Sequence, residues 1–188
     1  MHMHDGAPDD SRCHAVLEFW FGACEEDADV IAERSALWFR GGADVDATIR
    51  ARFSGLHQAA INGQLDDWIV FPRGRLALVI LVDQFSRNLF RANAQAFAHD
   101  ALARTLCAQG LDSNVDRSLR PIERVFLALP LANSETMAAH QLPLQLFQAL
   151  HDTQSTNTRA HFAHSPAHDQ RHPATLAGHG SLPDRPPA

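Results

Sequence analysis

Residues 76–91 read LALVILVDQFSRNLFR, and this stretch decides the fold class. Its first half is apolar on nearly all sides, as in a helix that neighbouring elements cover completely. The apolar run from Leu76 to Val82 is far shorter than the roughly 20 residues that cross a bilayer. The whole stretch is also too long for an ordinary strand. It predicts a buried central helix that ends in a series of polar residues.

Helical periodicity recurs before this stretch. Residues 13–22 (CHAVLEFWFG), 27–42 (DADVIAERSALWFRGG) and 43–65 (ADVDATIRARFSGLHQAAINGQL) each place apolar residues at helical spacing. We predict that Asp44 caps the third helix. The connection 66–74 (DDWIVFPRG) has no partner strand, so it predicts a loop with Trp68 buried. The inward stripe of the third helix consists of Val45, Ile49, Phe53, Leu56, Ala60 and Ile61.

The pattern after the central stretch is also helical. A further helix starts at Pro121, where the missing N–H of a proline costs little. Residues 134–150 show another helical pattern with a kink near Pro143. No credible pair of strands occurs, so we expect an all-α protein built as an antiparallel helical array. Residues 93–109 predict a helix before a turn at 110–114, and its inward residues are Ala96, Phe97, Ala101, Leu102 and Leu106.

Length and composition indicate one domain with a tail. The chain has 188 residues, of which 45% are hydrophobic, and this suffices for a substantial core. We expect a disordered N-terminus over residues 1–12, a helical domain over residues 13–152 and a disordered tail over residues 153–188, which is rich in proline and histidine. The formal net charge of -6 disfavours nucleic acid as a partner.

Nothing in the sequence indicates export or a membrane partner. The first residues lack the basic region and the apolar run of a secretory signal. Cys13, Cys24 and Cys107 are an odd number of cysteines without CxxC spacing, so we expect free thiols rather than disulfides or a zinc site. The resulting prediction is a cytoplasmic protein.

Polar residues four positions apart stand out at the end of the central stretch. Asp83 and Arg87, Gln84 and Asn88, and Arg87 and Arg91 each share a helix face. In a functional interpretation they form a pocket in which both arginines grip a small anionic ligand and Asp83 fixes Arg87. In a structural interpretation they cap or bridge neighbouring helices, because buried polar groups first need hydrogen-bond partners. The sequence leaves both interpretations open.

A second pair of candidate residues lies further along the chain. Ser134 and Glu135 begin the predicted helix at 134–150, where capping by Asn133 or Ser134 is the ordinary role. The alternative is acid–base chemistry together with the cluster around Asp83.

Aromatic and histidine residues give weaker signals. Trp20, Trp38 and Trp68 could line a ligand groove, but their apolar neighbours favour a place in the core. Prolines interrupt the histidines of the tail, so we predict no metal ligands among His161, His164, His168 and His172. No phosphate-binding, dinucleotide-binding, zinc-protease or serine-hydrolase motif occurs, and we expect no cofactor.

The hexapeptide DQFSRN at residues 83–88 and its surroundings resemble a bacterial family called domain of unknown function 924. The family has Asp-Gln-Phe-Pro-Arg-Asn here, after a leucine-rich helix and before an aromatic residue and Arg, and Ser86 replaces its proline. The resemblance covers roughly residues 14–150 and implies stacked helix pairs similar to tetratricopeptide proteins, but no particular activity. Further agreement comes from 16–22 (VLEFWFG), Trp38-Phe39, Gly63 with Trp68, 95–98 (QAFA) with Asp100, and 126–130 (FLALP).

The chain also departs from this family. Asn133 stands where the family has a histidine before Ser-Glu, and His140 stands where it has glutamine. If the family is catalytic, a member without that imidazole is impaired, since asparagine transfers no proton at neutral pH. The family's C-terminal Arg-Phe-Gly-Arg-Phe-Pro-His-Arg-Asn segment has no counterpart. We therefore hypothesise that the reading frame changes near Ser165, so that the tail is a non-native ending.

Three functions fit the sequence, which leaves open whether the protein is an enzyme. The first is a helical module that binds a protein or peptide through Arg87, Arg91 and exposed aromatic residues, and fold analogy favours it. The second is a small-molecule enzyme, or a relic of one, with a polar pocket around Asp83, Arg87, Asn88 and Glu135. The third is a truncated or frame-shifted product without function, which exposes apolar surface.

Overall fold

The computed structural model describes residues 10–132, and all regular elements in this part of the chain are helices. The α-helices are α1 (Ser11–Phe21), α2 (Asp27–Ser35), α3 (Ala43–Ile61), α4 (Pro72–Val79), α5 (Ser86–Leu89), α6 (Asp100–Asp112) and α7 (Pro121–Ala132). Short 3₁₀ turns lie at Asp66–Val70, Ala94–Phe97 and Val115–Ser118. The prediction of an all-α fold is confirmed for the described residues, and the tetratricopeptide-like pairing of helices stays a prediction.

The centre of the fold is a continuous helical segment from Pro72 to Leu89, here called the central helix. It runs through α4, a π-helical turn at Ile80–Phe85 and α5. Pro72 opens it at a position where a missing N–H has no cost. All residues from Gly74 to Asp83 are buried, because α1, α3, α6 and α7 pack around them. The predicted burial of this helix is confirmed.

Aromatic rings fill the core beside the central helix. Trp20 and Phe21 of α1 pack edge-on against Phe126 of α7, with ring centroids 5.6 and 5.4 Å away. Trp38 lies 4.8 Å from Phe126, and its indole N–H donates to the carbonyl of Trp20 at 3.0 Å. Trp68 is fully buried within the Asp66–Val70 turn. Trp20 and Trp68 are therefore core residues as predicted, whereas Trp38 is half-buried.

Two helices begin at residues that differ from the predicted ones. α1 begins at Ser11 because the carboxylate of Asp10 accepts a hydrogen bond from the backbone N–H of Arg12 at 2.8 Å. Residues 10–12, which the sequence assigns to the N-terminal segment, take part in this helix start. α3 begins after Gly42 without a side-chain cap, so the prediction of Asp44 as the cap is wrong. Asp44 lies in the first turn, where its charge suits the helix dipole.

The segment after the central helix also differs from its prediction. The single helix predicted over 93–109 is a 3₁₀ turn at Ala94–Phe97 followed by α6. Ala101 is exposed, whereas Ala103 is buried. α6 also continues through Gly110, where the sequence predicts a turn. The turn signal of glycine is misleading here because the missing side chain leaves room for the side chain of Arg75 from α4.

Several predictions concern residues outside the described part. They are the helix at 134–150 with its kink, the site residues Ser134 and Glu135, the tail at 153–188 and the change of reading frame near Ser165. The cysteines Cys13, Cys24 and Cys107, all within residues 10–132, form no disulfide with one another, as predicted. None of the helices in residues 10–132 combines the length and the apolarity that a membrane crossing needs.

Candidate functional site

Asp83 is the buried centre of the predicted site. It lies in the π-helical turn Ile80–Phe85, and its Oδ1 accepts a hydrogen bond from Nη2 of Arg87 at 2.7 Å. Its Oδ2 accepts a second one from Nε2 of Gln84. Burial raises the pKa of Asp83, and the guanidinium of Arg87 opposes that shift. Both oxygens are occupied and the residue is buried, so Asp83 fixes the two neighbouring side chains.

Arg87, the partner of Asp83, lies partly at the surface, with 28% of its side chain exposed. Its Nη2 also approaches Oδ1 of Asp100 at 3.5 Å, and its guanidinium lies over the ring of Phe97 at 5.0 Å from the centroid. Two carboxylates and one ring therefore hold the guanidinium in a single orientation. Two acidic side chains thus face the charge of Arg87, and anion binding at this group stays a prediction.

Asn88 and Arg91 belong to a second network, which is centred on Asp46 of α3. Arg91 donates through Nε and Nη2 to the two oxygens of this carboxylate, at 2.6 and 2.8 Å. Nδ2 of Asn88 donates to the same group at 2.9 Å. The hydrogen bonds from Arg91 lower the pKa of Asp46. The network fastens the end of the central helix to the first turn of α3, which fits the structural interpretation.

A third polar pair lies in the core between α3 and α5. Nε2 of His57 lies 2.8 Å from Oγ of Ser86, and that hydroxyl donates to the carbonyl of Val82 at 2.7 Å. Because the hydroxyl has one hydrogen, the bonding pattern assigns the donor role to Nε2 of His57. Burial, with a smaller contribution from His99, lowers the pKa of His57. Both partners are buried, so they form a structural pair and not an exposed nucleophile and base.

An exposed aromatic residue adjoins the second network. Phe39 lies in a π-helical turn, Ala36–Arg40, and 62% of it is exposed. Its ring packs edge-on against Trp38, with the centroids 6.1 Å apart. The backbone two residues later passes Arg91, since a Cβ on Gly41 would lie 3.1 Å from Nη2 of that arginine. Phe39, Arg40 and Arg91 are all exposed, and together they are called the Phe39 surface.

Comparison with known proteins places this chain in a family. The family model for bacterial proteins of unknown function, DUF924, matches residues 16–188. The chain belongs to the DUF924 family. The solved structure of a protein of unknown function from Agrobacterium tumefaciens, ATU0120, is similar over 93% of this chain and 88% of that chain, with 28% sequence identity and a TM-score of 0.72. No curated protein matches the chain.

The DUF924 hexapeptide at residues 83–88 contributes to two hydrogen-bond networks, and the predicted ligand pocket stays a prediction. Asp83, Gln84 and Arg87 form the first network, and Asn88 and Arg91 form the second with Asp46. The hydroxyl of Ser86, within this hexapeptide, lies 2.8 Å from Nε2 of His57 and donates to the carbonyl of Val82. Ser134 and Glu135 lie outside the described residues.

Sequence analysis misses three residues of these networks. Asp46 pairs with a residue 45 positions away and Asp100 with one 13 positions away, and local spacing gives no sign of such pairs. His57 carries a usable signal, because it follows the inward residue Phe53 by four positions in α3. Within residues 10–132, no group of three or more His, Cys, Asp or Glu side chains is arranged to hold a metal ion.

Proposed function

We propose that this DUF924 protein is a binding module that recognises a partner protein or peptide through the Phe39 surface. The observation that carries the proposal is the exposure of Phe39 on a support of packed aromatic rings. Exposed aromatic side chains and arginines on a fixed support are the residue types that dominate the binding energy of protein interfaces. The described polar groups of the hexapeptide are internally bonded, which favours binding over catalysis.

The support beneath Phe39 is well anchored. Trp38 contacts Phe126 of α7, and its indole N–H is bonded to the carbonyl of Trp20 in α1. The turn at Ala36–Arg40 is therefore joined to two other helices. A side chain that is already held in place loses little conformational entropy on binding, so more of its contact energy appears as affinity.

The charges beside Phe39 define the chemistry of the partner. Arg40 follows Phe39 in the chain, Arg91 lies beside Gly41 and is held by Asp46, and both arginines are exposed. Rim charges of this kind select a partner by complementarity and speed up its association. The proposed partner segment thus presents an apolar side chain next to a carboxylate.

Selection from a random peptide display library tests the proposal. The full-length protein should enrich peptides with an apolar residue beside Asp or Glu, and their affinity can be measured by fluorescence anisotropy. Phe39→Ala should weaken the binding by about 30-fold or more, which corresponds to the roughly 2 kcal/mol of an interface hot spot. Val70→Ala is the matched control, because Val70 is also a large apolar residue and is 74% exposed.

Two results would count against the binding module. One is a library that yields no peptide above the background of the Phe39→Ala protein. The other is a set of peptides that bind the Phe39→Ala and Val70→Ala variants equally well. Circular dichroism of both variants should match the wild type, since exposed side chains contribute little to stability.

A small-molecule enzyme is the second candidate, and one observation favours it. Asp83 combines a raised pKa with a place in a π-helical turn beside Arg87, and such features cluster at functional sites. A metabolite that raises the melting temperature of the wild type and of Phe39→Ala, but not of Arg87→Gln, would support a ligand site here. A cytoplasmic location is also proposed, and the three cysteines, which form no disulfide with one another, support it.

A further inference from the structure

Arg75 is a buried cation that takes no part in the two networks or in the Phe39 surface. It lies in α4, and only 7% of the residue is exposed. Its Nη1 donates to the carbonyl of Leu106 in α6 at 3.0 Å. The side chain runs along Gly110, because a Cβ on that glycine would lie 2.8 Å from Cδ of Arg75. A glycine inside α6 thus makes the space that the arginine fills.

The charge of Arg75 is not balanced by a carboxylate within residues 10–132. Arginine stays protonated in proteins, and buried charges are normally paired. The titratable neighbour that acts on Arg75 is Cys107, and burial raises the pKa of this thiol to about 12, so the thiol is neutral and supplies no counter-charge. Ion pairs to acidic side chains are made instead by Arg12, Arg34, Arg73, Arg87, Arg91, Arg120 and Arg124.

One edge of the Arg75 guanidinium also has unused donors. The group carries five N–H bonds, and the carbonyl of Leu106 accepts from Nη1. Nε is buried and has no hydrogen-bond partner among the described residues. Nε and Nη2 lie on one edge of the guanidinium, and this edge matches the two oxygens of a carboxylate.

We propose that Arg75 is the anchor of a carboxylate-binding site between α4 and α6. One carboxylate supplies two acceptors for the free edge and one negative charge for the buried cation. A dianionic phosphate fits less well, because its second charge would stay unpaired in a buried place. The carboxylate comes from a small soluble acid or from the acidic side chains outside the described part, which are Asp5, Asp9, Glu135, Asp152, Asp169 and Asp184.

Nitrogen-15 NMR of the arginine Nε–H groups in the full-length protein tests this site. The Arg75 signal is assigned by its absence from the spectrum of Arg75→Lys, or by its nuclear Overhauser contact with Gly110, which requires no folded variant. Sodium acetate is then titrated into one sample, and sodium chloride is titrated into a second sample at the same ionic strength. If a soluble acid binds, the Nε–H proton of Arg75 moves downfield and saturates with acetate, and chloride has no such effect. The Nε–H of Arg91 is the internal control: it already donates to the carboxylate of Asp46, so its signal should not respond to acetate.

A second protein separates the two sources of the carboxylate. In it, the six acidic side chains outside residues 10–132 are replaced by the corresponding amides. If one of them fills the site, the wild-type Arg75 proton lies downfield without acetate, moves upfield in the amide variant and returns downfield when acetate is added. The proposal is overturned if the Arg75 proton resonates upfield, where free Nε–H groups do, in both proteins and does not respond to acetate.

Discussion

Two substitutions of Asp83 should have very different costs if its role is to fix Arg87. In Asp83→Ala, the guanidinium of Arg87 and the amide of Gln84 both lose their buried acceptor. In Asp83→Asn, the side chain keeps its shape and one carbonyl oxygen for Arg87. Burial already disfavours the charged form of Asp83, as its raised pKa shows, so removal of the charge is the smaller part of the change.

The sizes of the two effects follow from the burial of each partner. Removal of one member of a buried ion pair costs roughly 3–5 kcal/mol, since it leaves the other charge uncompensated. Arg87 is 28% exposed and keeps Asp100 nearby, so water and a second carboxylate screen it. We therefore expect about 2–3 kcal/mol for Asp83→Ala, below that range. For Asp83→Asn we expect about 1 kcal/mol, the usual net contribution of one hydrogen bond.

Urea unfolding followed by tryptophan fluorescence measures both costs, because Trp20 and Trp68 are buried in the folded protein. Asp112→Asn is the control, since this aspartate is exposed at the end of α6 and its replacement should change stability by less than about 0.5 kcal/mol. An Asp83→Asn variant that is as unstable as Asp83→Ala would refute the structural role of the hydrogen bonds. Two variants as stable as the control would refute the network itself.

Three further substitutions test other contacts. His57→Gln should make stability less sensitive to acid. Because the pKa of His57 is lowered in the folded protein, the unfolded chain binds more protons than the folded one below about pH 6.5. Thermal melts should therefore show the wild type losing stability relative to the variant from pH 7 to 5. Parallel curves would disprove this. In a double-mutant cycle, Asp46→Ala and Arg91→Ala should show a coupling of roughly 1 kcal/mol in urea, because the pair is bidentate but 56% of the arginine side chain is exposed; additive effects would mean that the pair contributes nothing. Gly110→Ala should cost about 1–3 kcal/mol in the same assay, since its Cβ meets a buried arginine at 2.8 Å. A stability gain, as helix propensity alone predicts, would show that the side chain yields.

The helices could be predicted because their apolar residues follow helical spacing. The run from Leu76 to Val82 is apolar all round, and it lies at the most enclosed position of the fold. The π-helical turn at Ile80–Phe85 could not be predicted, since no local spacing marks it. At Gly110 the sequence predicts a turn, but α6 continues through it, because glycine permits both a chain turn and a close side-chain contact inside a helix. In physical terms, periodicity reports which side is buried but not which neighbour lies there.

The candidate site illustrates the same limit. Spacing by four residues correctly joins Asp83 to Arg87. It also joins Arg87 to Arg91, yet Arg91 turns to Asp46 in α3, and the second carboxylate near Arg87 is Asp100 in the first turn of α6. Arg87 keeps its closest carboxylate, Asp83, four positions before it, whereas the carboxylate that holds Arg91 comes from an element far along the chain. Only the packing of helices decides this choice.

The bonding state of each group then determines where a ligand can act. A ligand at Arg91 competes with two charge-assisted hydrogen bonds of 2.6 and 2.8 Å, and one at Arg87 competes with two carboxylates. No such competition exists at the ring of Phe39, which is exposed apolar surface, or at Nε of Arg75, which has no hydrogen-bond partner among the described residues. A ligand at either of these two groups would displace no hydrogen bond of the described residues, and for this reason the proposed ligands are placed there and not at residues 83–88.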